Sequence, residues 1–258
     1  MLHRFPNGAS GAVSLTYDDG VPAHLDSAAP DLESAGLRGT FFVPTRHAGS
    51  CLLDRADDWR ALAARGHELG NHTQFHPCGK GPAWVKPNFS LEAYSLARME
   101  SELTAANRDL DEATGVAAVR TFAYPCGQSY VGPDGESFRP MAARLFAACR
   151  GAGDRRLIDP FDCDRSLLPA WTIRAATPLD DIFEQLDDAV ERGRWAVLVF
   201  HGIADRATQA RRDAGELMIA RSTHQAVVDY VQKLNRDGVI WCATFLDVFR
   251  ALPAGAGR

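Results

Sequence analysis

Short apolar runs alternate with amphipathic segments along most of this chain. Strands are predicted at the runs 12–17, 39–44, 119–124, 171–175, 195–200 and 239–243, and a brief strand is predicted at 67–71, directly before His72. Helices are predicted at the amphipathic segments 24–34, 59–64, 90–114, 138–149, 178–192 and 223–236, with a short helix after the last strand. Because strands that alternate with helices pair in parallel, and because the units number about seven, the pattern predicts an α/β barrel rather than an open sheet.

The ends of the longest predicted helix carry clear start and stop signals. Ser90 is a good N-cap residue, and Gly115 can end the helix in a left-handed conformation. The preceding segment 77–88 holds three prolines and two glycines, which predict a loop over one mouth of the barrel.

Composition narrows the class of protein and the class of partner. The chain has 258 residues, 46% of them hydrophobic and 24% charged, which predicts one globular domain over residues 1–258. Its net charge of −5 comes without a basic stripe, so nucleic acid is not an expected partner. A glycan or a small neutral molecule is the better match, and the oligomeric state stays open.

The N-terminal segment and the cysteines bear on compartment. The first eight residues lack the apolar core of a secretory signal, and no run of about 18 apolar residues follows. We therefore expect a cytoplasmic protein without membrane insertion. The six cysteines form no CxxC pair, which predicts free thiols at Cys51, Cys78, Cys126, Cys149, Cys163 and Cys242.

Four polar clusters directly follow predicted strands. They are Asp18-Asp19-Gly20, the segment 72–76, the segment 124–127, and His201-Gly202. Active sites of α/β barrels gather at the carboxyl ends of the strands, so we expect these four clusters to converge.

The first two clusters suggest a cation site. Adjacent aspartates at a strand end point to different sides, so one of Asp18 and Asp19 can bind a cation while the other faces a water; an exposed acidic turn is the alternative. His72 and His76 stand four residues apart, so on a helical turn their imidazoles would share a face and could bind one metal ion. Two imidazoles and one carboxylate leave open positions for water and substrate.

His201 follows the buried run 196–200 and precedes a glycine. A proton donor at the end of a buried strand can have its pKa adjusted by burial, although a hydrogen-bonded structural histidine is an equal alternative.

Taken together, these residues resemble the polysaccharide deacetylase family, also called carbohydrate esterase family four, over about residues 11–249. The family motif Thr-Phe-Asp-Asp-Gly matches residues 16–20 with only Tyr17 in place of Phe, and a second motif, His-Thr-x-x-His in its form here, matches residues 72–76. The resemblance implies a distorted (β/α)7 barrel. It also implies a hydrolase that removes N-acetyl groups from acetamido sugars.

The same resemblance assigns roles to individual residues. Asp19, His72 and His76 would hold one divalent metal ion, zinc by default with cobalt, iron or nickel as alternatives. Asp18 would be the general base and His201 the general acid. The backbone amide of Tyr124 would help to stabilise the oxyanion.

One position departs from the family pattern. The third family motif commonly reads Arg-x-Pro-Tyr-Gly, with its arginine orienting the catalytic aspartate, and here Ala123 stands where that arginine falls. Arg174 or Arg120 could supply the missing charge. Trp171 could form the apolar wall near the acetyl methyl group, or could belong to the core.

Two other functions fit the same sequence. One is a metal-dependent hydrolase of another amide, such as a cyclic ureide, an imide or a small amide, because fold and metal site do not determine the acyl group. The other is an inactive carbohydrate-binding domain that keeps the barrel.

Overall fold

The computed structural model describes residues 3–204, 217–253 and 255. Its strands are β1 (Gly11–Asp18), β2 (Thr40–Val43), β3 (Glu68–Asn71), β4 (Phe122–Ala123), β5 (Tyr130–Val131), β6 (Glu136–Ser137), β7 (Cys149–Arg150), β8 (Trp171–Thr172), β9 (Trp195–Phe200), β10 (Ile203–Ala204), β11 (Ile219–Ala220) and β12 (Ile240–Cys242). Its α-helices are α1 (Ala29–Ser34), α2 (Ala56–Ala64), α3 (Leu96–Thr114), α4 (Arg139–Leu145), α5 (Leu179–Arg192), α6 (Arg221–Arg236) and α7 (Phe245–Arg250).

The main sheet is parallel throughout the described residues. Seven strands follow one another in the order β7-β4-β3-β2-β1-β9-β8, and β12 pairs with the first half of β1. The sheet curls. Beyond β7, a parallel bridge joins Arg150 of that strand to Leu168. The predicted fold, a single-domain distorted (β/α)7 barrel, is confirmed.

Alternation along β1 separates the two faces of the sheet. Val13, Leu15 and Tyr17 belong to the apolar layer between the sheet and the helices, where α5 packs on β1. Ala12 belongs to a second cluster inside the barrel, on the face opposite Val13. Because successive side chains of a strand point to opposite faces, Asp18 at the end of β1 points into the barrel.

The same parity applies to β9. Leu198 and Phe200 pack in the outer layer, whereas Val197 and Val199 pack inside the barrel. His201 follows on the inner side of β9. Asp18 and His201, which are far apart in sequence, therefore face the same interior.

The longest helix begins later than predicted. Residues 91–93 form a 3-10 turn, and α3 starts after Ser95, whose side chain accepts a hydrogen bond from the Arg98 amide at 3.2 Å. The prediction of Ser90 as the N-cap was therefore wrong, because the extended backbone at Tyr94 separates the turn from the helix. The predicted end is confirmed, since Gly115 ends α3 with φ 74°.

A second difference affects the site. The sequence predicted one helix over 138–149, but α4 ends at Leu145 and the chain then forms β7. Within the described residues, no helix combines the length and apolar character needed to cross a membrane.

Candidate active site

All seven residues predicted for the site line one cavity at the carboxyl ends of the strands. The cavity measures about 430 Å³. The predicted residues on its wall are Asp18, Asp19, His72, His76, Tyr124, Arg174 and His201. The predicted convergence of the four polar clusters is thereby confirmed.

Asp19, His72 and His76 present their donor atoms to a common point. An oxygen of Asp19 lies 3.3 Å from Nε2 of His76 and 3.7 Å from Nε2 of His72. The three donor atoms all lie within 4.8 Å of one another. Tetrahedral zinc, with bonds of about 2.0–2.2 Å to nitrogen and oxygen, holds such atoms about 3.4 Å apart. The donor set therefore fits a divalent cation.

His72 is fixed in the tautomer that metal binding requires. Its Nδ1–H donates to the carbonyl oxygen of Ala123 at 2.8 Å, which leaves the lone pair of Nε2 facing Asp19. Burial lowers the pKa of His72 to about 4, so the imidazole is neutral near neutral pH.

The segment between the two histidines is a strained loop. The sequence predicted that His72 and His76 share a face of a helical turn, but Thr73 has φ 66° and His76 has φ 55°. These left-handed conformations are uncommon outside glycine and need outside support. The Thr73 amide donates to the Asn71 side chain at 2.7 Å, and the Phe75 amide donates to Glu102 at 3.0 Å. A local hydrogen bond to Asn71 and a tertiary one to Glu102, and not helix geometry, hold the loop that brings the imidazoles together.

The charges of this cluster are mutually dependent. Burial by itself would raise the pKa of Asp19, but His76, His201 and His72 outweigh it and hold that pKa well below its ordinary value. For His76, burial disfavours protonation, yet the Asp19 carboxylate outweighs burial and raises the pKa. A carboxylate that attracts a proton to His76 would also attract a cation to the same position.

Asp18 forms a buried ion pair with an arginine that the sequence did not reveal. The guanidinium of Arg150, at the end of β7, donates to the Asp18 carboxylate, and both side chains are almost fully buried. Burial opposes ionisation of Asp18, but Arg150, with His72 and His201, outweighs it and lowers the pKa. Asp18 is therefore a carboxylate near neutral pH, in the form that can accept a proton.

Arg150 takes the place that the sequence offered to Arg174 or Arg120. Arg120 instead donates to the Leu69 carbonyl at 2.9 Å and pairs with Asp111. Arg174 is exposed at the rim of the cavity. The prediction that Arg174 orients Asp18 is thus corrected, because the buried position beside that carboxylate is filled by Arg150.

His201 is held by its main chain. Its carbonyl oxygen accepts a hydrogen bond from Nε2 of the fully buried His24 at 2.8 Å. Burial lowers the pKa of His24 to about 4, so His24 is a neutral donor. In the described part of the chain, Nδ1 of His201 is buried without a hydrogen-bond partner.

The predicted oxyanion donor needs a correction. The amide of Tyr124 donates to the carbonyl of Arg150 at 3.0 Å, as part of the pairing between β4 and β7, and is not available to a substrate. The hydroxyl of Tyr124 donates to the Ser166 carbonyl at 2.8 Å. Cys126 also lines the cavity, with φ 55°, and its amide has no acceptor among the described residues.

Cys126 is bonded to Cys78. The disulfide spans 48 residues and joins the loop after His76 to the turn at 125–127. The prediction of free thiols was therefore wrong for this pair, because two loops that are remote in sequence meet at the cavity. Cys51, Cys149 and Cys242 are free thiols, as predicted.

Aromatic side chains near the cavity differ from the sequence-based prediction. Trp171 packs with the outer core and under the guanidinium of Arg155, while its neighbour Thr172 faces the cavity. Trp171 is thus a core residue. Trp84, from the predicted loop 77–88, lines the cavity and is 55% exposed, and His47 lines it as well.

The barrel places a donor set that fits a cation beside a buried carboxylate, and comparison with known proteins adds sequence relatives to this geometry. Residues 6–132 match the family described as polysaccharide deacetylase. The chitooligosaccharide deacetylase of Sinorhizobium fredii is 32% identical over 129 residues, which cover 49% of this chain and 53% of that protein. Over about its N-terminal half, the chain is thus similar to the polysaccharide deacetylase family.

The other relatives differ in how much of them this chain covers. A gellan lyase of Bacillus is 31% identical over 142 residues, 55% of this chain but 5% of that protein. Thus the chain spans about half, or much less, of the curated relatives that it matches.

Solved structures support the fold. A family 4 acetyl xylan esterase from Clostridium thermocellum in complex with a cobalt ion is similar over 93% of this chain and 90% of that one, with a TM-score of 0.54 and 16% identity. A family 4 pseudoenzyme from Bacillus anthracis is similar over 93% of this chain and 65% of that one, also with a TM-score of 0.54 and 16% identity.

Proposed function

We propose that this protein is a metal-dependent hydrolase that removes N-acetyl groups from acetamido sugars in an oligosaccharide or polysaccharide. One observation carries the proposal. A donor set that fits a cation, Asp19 with His72 and His76, shares a cavity with a carboxylate held ionised by Arg150.

A cation held by Asp19, His72 and His76 would supply Lewis acidity to polarise the acetyl carbonyl and to acidify a water. The protein groups handle the protons. Asp18 accepts a proton from the attacking water while the oxygen of that water bonds to the carbonyl carbon of the acetyl group. Arg150 keeps Asp18 ionised and holds its orientation, since the two are hydrogen-bonded inside the barrel.

Collapse of the tetrahedral intermediate breaks the bond between carbon and nitrogen. His201 donates a proton to the departing nitrogen, so that acetate and an amine are released. His24 fixes the His201 backbone through its carbonyl. For the oxyanion we propose the Cys126 amide in place of that of Tyr124, because Cys126 lines the cavity and its amide is unpaired in the described structure.

The surroundings of the cavity support a sugar substrate. An adjoining groove of about 310 Å³ shares His47, His76 and Trp84 with the cavity. Phe75 and Phe89 stack in this groove with ring centroids 5.0 Å apart. An open aromatic surface suits a sugar ring, whereas a small cyclic ureide or imide would favour an enclosed pocket.

Two observations keep the alternatives in view. Arg174 at the rim could pair with a polar small amide, and the neighbour from Bacillus anthracis is described as a pseudoenzyme, so the barrel alone does not establish catalysis. In this chain the cation donors, the carboxylate and the histidine are all present in one cavity.

The test is acetate release from N-acetylated chitooligosaccharides, run beside cyclic ureides and small acetamides. Zinc- or cobalt-loaded protein should release acetate from the oligosaccharides, and the Asp18→Asn variant should not. Turnover of the ureide or small amide alone would favour the rival hydrolase. If no substrate is turned over by protein that holds its metal, the domain is a binding module.

A further inference from the structure

His76 lies between two sets of donor atoms. Its Nε2 is 3.3 Å from the Asp19 carboxylate, and its Nδ1 is 3.6 Å from Sγ of Cys78. The sulfur of Cys126 completes the second set, in which Nδ1 and both sulfurs lie within 4.8 Å of one another. One imidazole therefore faces the cation site with one nitrogen and a disulfide with the other.

The spacing on the sulfur side matches a metal site. Zinc bonds of about 2.3 Å to sulfur and about 2.0 Å to nitrogen, at a tetrahedral angle, place the two atoms about 3.5 Å apart. The separation between Cys78 Sγ and His76 Nδ1 is 3.6 Å. Only the bond between the two sulfurs keeps them from acting as a pair of thiolate ligands.

We propose that reduction of the Cys78–Cys126 disulfide creates a second metal site, at which the two thiolates and Nδ1 of His76 bind a thiophilic cation such as Zn²⁺ or Cu⁺. This site is separate from the one at Asp19 and His72. It does not depend on the proposed deacetylase activity.

Reduction can proceed from the cavity side. Cys78 is buried and Cys126 is exposed, so a dithiol reductant would attack the sulfur of Cys126 and release Cys78. The second thiol of the reductant then displaces Cys126. The reductant is oxidised to its disulfide, two electrons pass to the protein, and the two thiol protons leave when the cation binds.

His76 would then be shared by both sites. A neutral imidazole has one lone pair, so His76 would bridge the two cations as an imidazolate, and its ring proton would be released together with the two thiol protons when the second cation binds. The protein would hold one cation when oxidised and two when reduced.

Cobalt titration tests this directly, because thiolate bonded to Co²⁺ absorbs strongly in the near ultraviolet and carboxylate or imidazole does not. The protein is titrated in its oxidised form and after treatment with a phosphine, which is converted to its oxide and adds no thiol ligand. Binding should rise from one equivalent to two, and the thiolate band should appear only in the reduced protein.

Variants show which residues give rise to the thiolate band. It should be lost in Cys78→Ser and Cys126→Ser, and it should persist in Cys242→Ser, a matched change at a half-buried free thiol outside the cavity. The band should also persist in His72→Ala, which removes a donor of the first site only.

Three results would overturn the proposal. They are a reduced protein that binds one equivalent without the band, a band that survives in Cys126→Ser, and loss of the folded circular dichroism spectrum on reduction. A fourth result would overturn it as well, since a band that disappears in His72→Ala would show that the thiols join the first site rather than form a second. None of these outcomes requires acetate release, so a failure of the proposed function would be recognised separately.

Discussion

Replacement of Arg150 by Met removes the charge beside Asp18 while keeping most of the side-chain volume. In the wild type both side chains are inside the barrel, with 0% and 4% of their surface exposed. The guanidinium also packs over the ring of Phe42, 4.4 Å from its centroid, and a methionine can keep part of that contact. The variant therefore isolates the effect of the Arg150 charge on the pKa of Asp18 and on stability.

The expected magnitude follows from burial of the pair. Removing one partner of a buried ion pair typically costs about 3–5 kcal/mol, because an uncompensated charge is left behind. One pKa unit corresponds to about 1.36 kcal/mol. Protonation of Asp18 can relieve this cost. Dividing about 3–5 kcal/mol by about 1.36 kcal/mol per pKa unit shows that the pKa of Asp18 should rise by about two units or more in the variant.

The direction with pH can be stated for both activity and stability. Arg150, His72 and His201 lower the pKa of Asp18 below its ordinary 3.8 in the wild type, even though burial raises it. The stabilisation of the folded protein by the ionised Asp18 carboxylate is present above pH 3.8 and is lost as the pH falls through the lowered pKa of Asp18. In Arg150→Met the stability deficit should be largest near neutral pH and should shrink on acidification.

Two measurements test this reasoning. The acid limb of kcat/KM for an N-acetylated oligosaccharide should move up by about two pH units in Arg150→Met, in line with the cost of the broken pair. Urea unfolding should show the pH-dependent deficit. Arg174→Met is the control, because its exposed guanidinium should leave the acid limb in place. An unmoved acid limb in Arg150→Met, or an equal shift in Arg174→Met, would refute the role given to Arg150.

Three further outcomes are expected. Asp18→Asn should keep its metal and lose on the order of a hundredfold to ten-thousandfold in rate, and metal loss would show that Asp18 and Asp19 had been assigned the wrong way round. His201→Ala should lose far more activity on N-acetyl substrates than on an activated acetate ester, since an amine leaves poorly without a proton; equal losses would argue against a general acid. Ser95→Ala should lower the free energy of unfolding by about 1 kcal/mol in urea, and an unchanged value would mean that its hydrogen bond does not cap α3.

Much of the fold could be predicted because the pattern repeats strongly. Long buried strands such as β1 and β9 have apolar runs that predict a strand by themselves. Because side chains alternate between the two faces of a strand, Asp18 and His201 lie on the inner face. Strand ends of a parallel barrel meet at one rim, so clusters that follow different strands were predicted to converge.

Arg150 could not be predicted in the same way. Its strand has only two residues, and the apolar residues 145–149 that lead into it continue a helical pattern, so the sequence assigns them to a helix. The guanidinium meets Asp18 across 132 positions in the sequence, and the pairing exists only once the sheet has curled. The sequence contains many arginines, and nothing local distinguishes this one.

The loop at 72–76 and the disulfide show the same limit. A four-residue spacing is compatible with a helical turn, but the side chains of Asn71 and Glu102 accept hydrogen bonds from the backbone of a loop that contains left-handed residues. Cys78 and Cys126 are 48 residues apart, and only the folded loops bring them within bonding distance. In each case a tertiary contact decides what the local pattern leaves open.

The most direct test of the central claim is to follow bound metal and acetate release in one titration. Metal-free oxidised protein should regain activity on N-acetylated chitooligosaccharide in proportion to added Zn²⁺ or Co²⁺, and should reach its maximum at one equivalent. His72→Ala should bind no cation under the same conditions and should stay inactive. Full activity in the metal-free protein, or stoichiometric metal and full turnover in His72→Ala, would contradict the assignment of Asp19, His72 and His76 as the metal site.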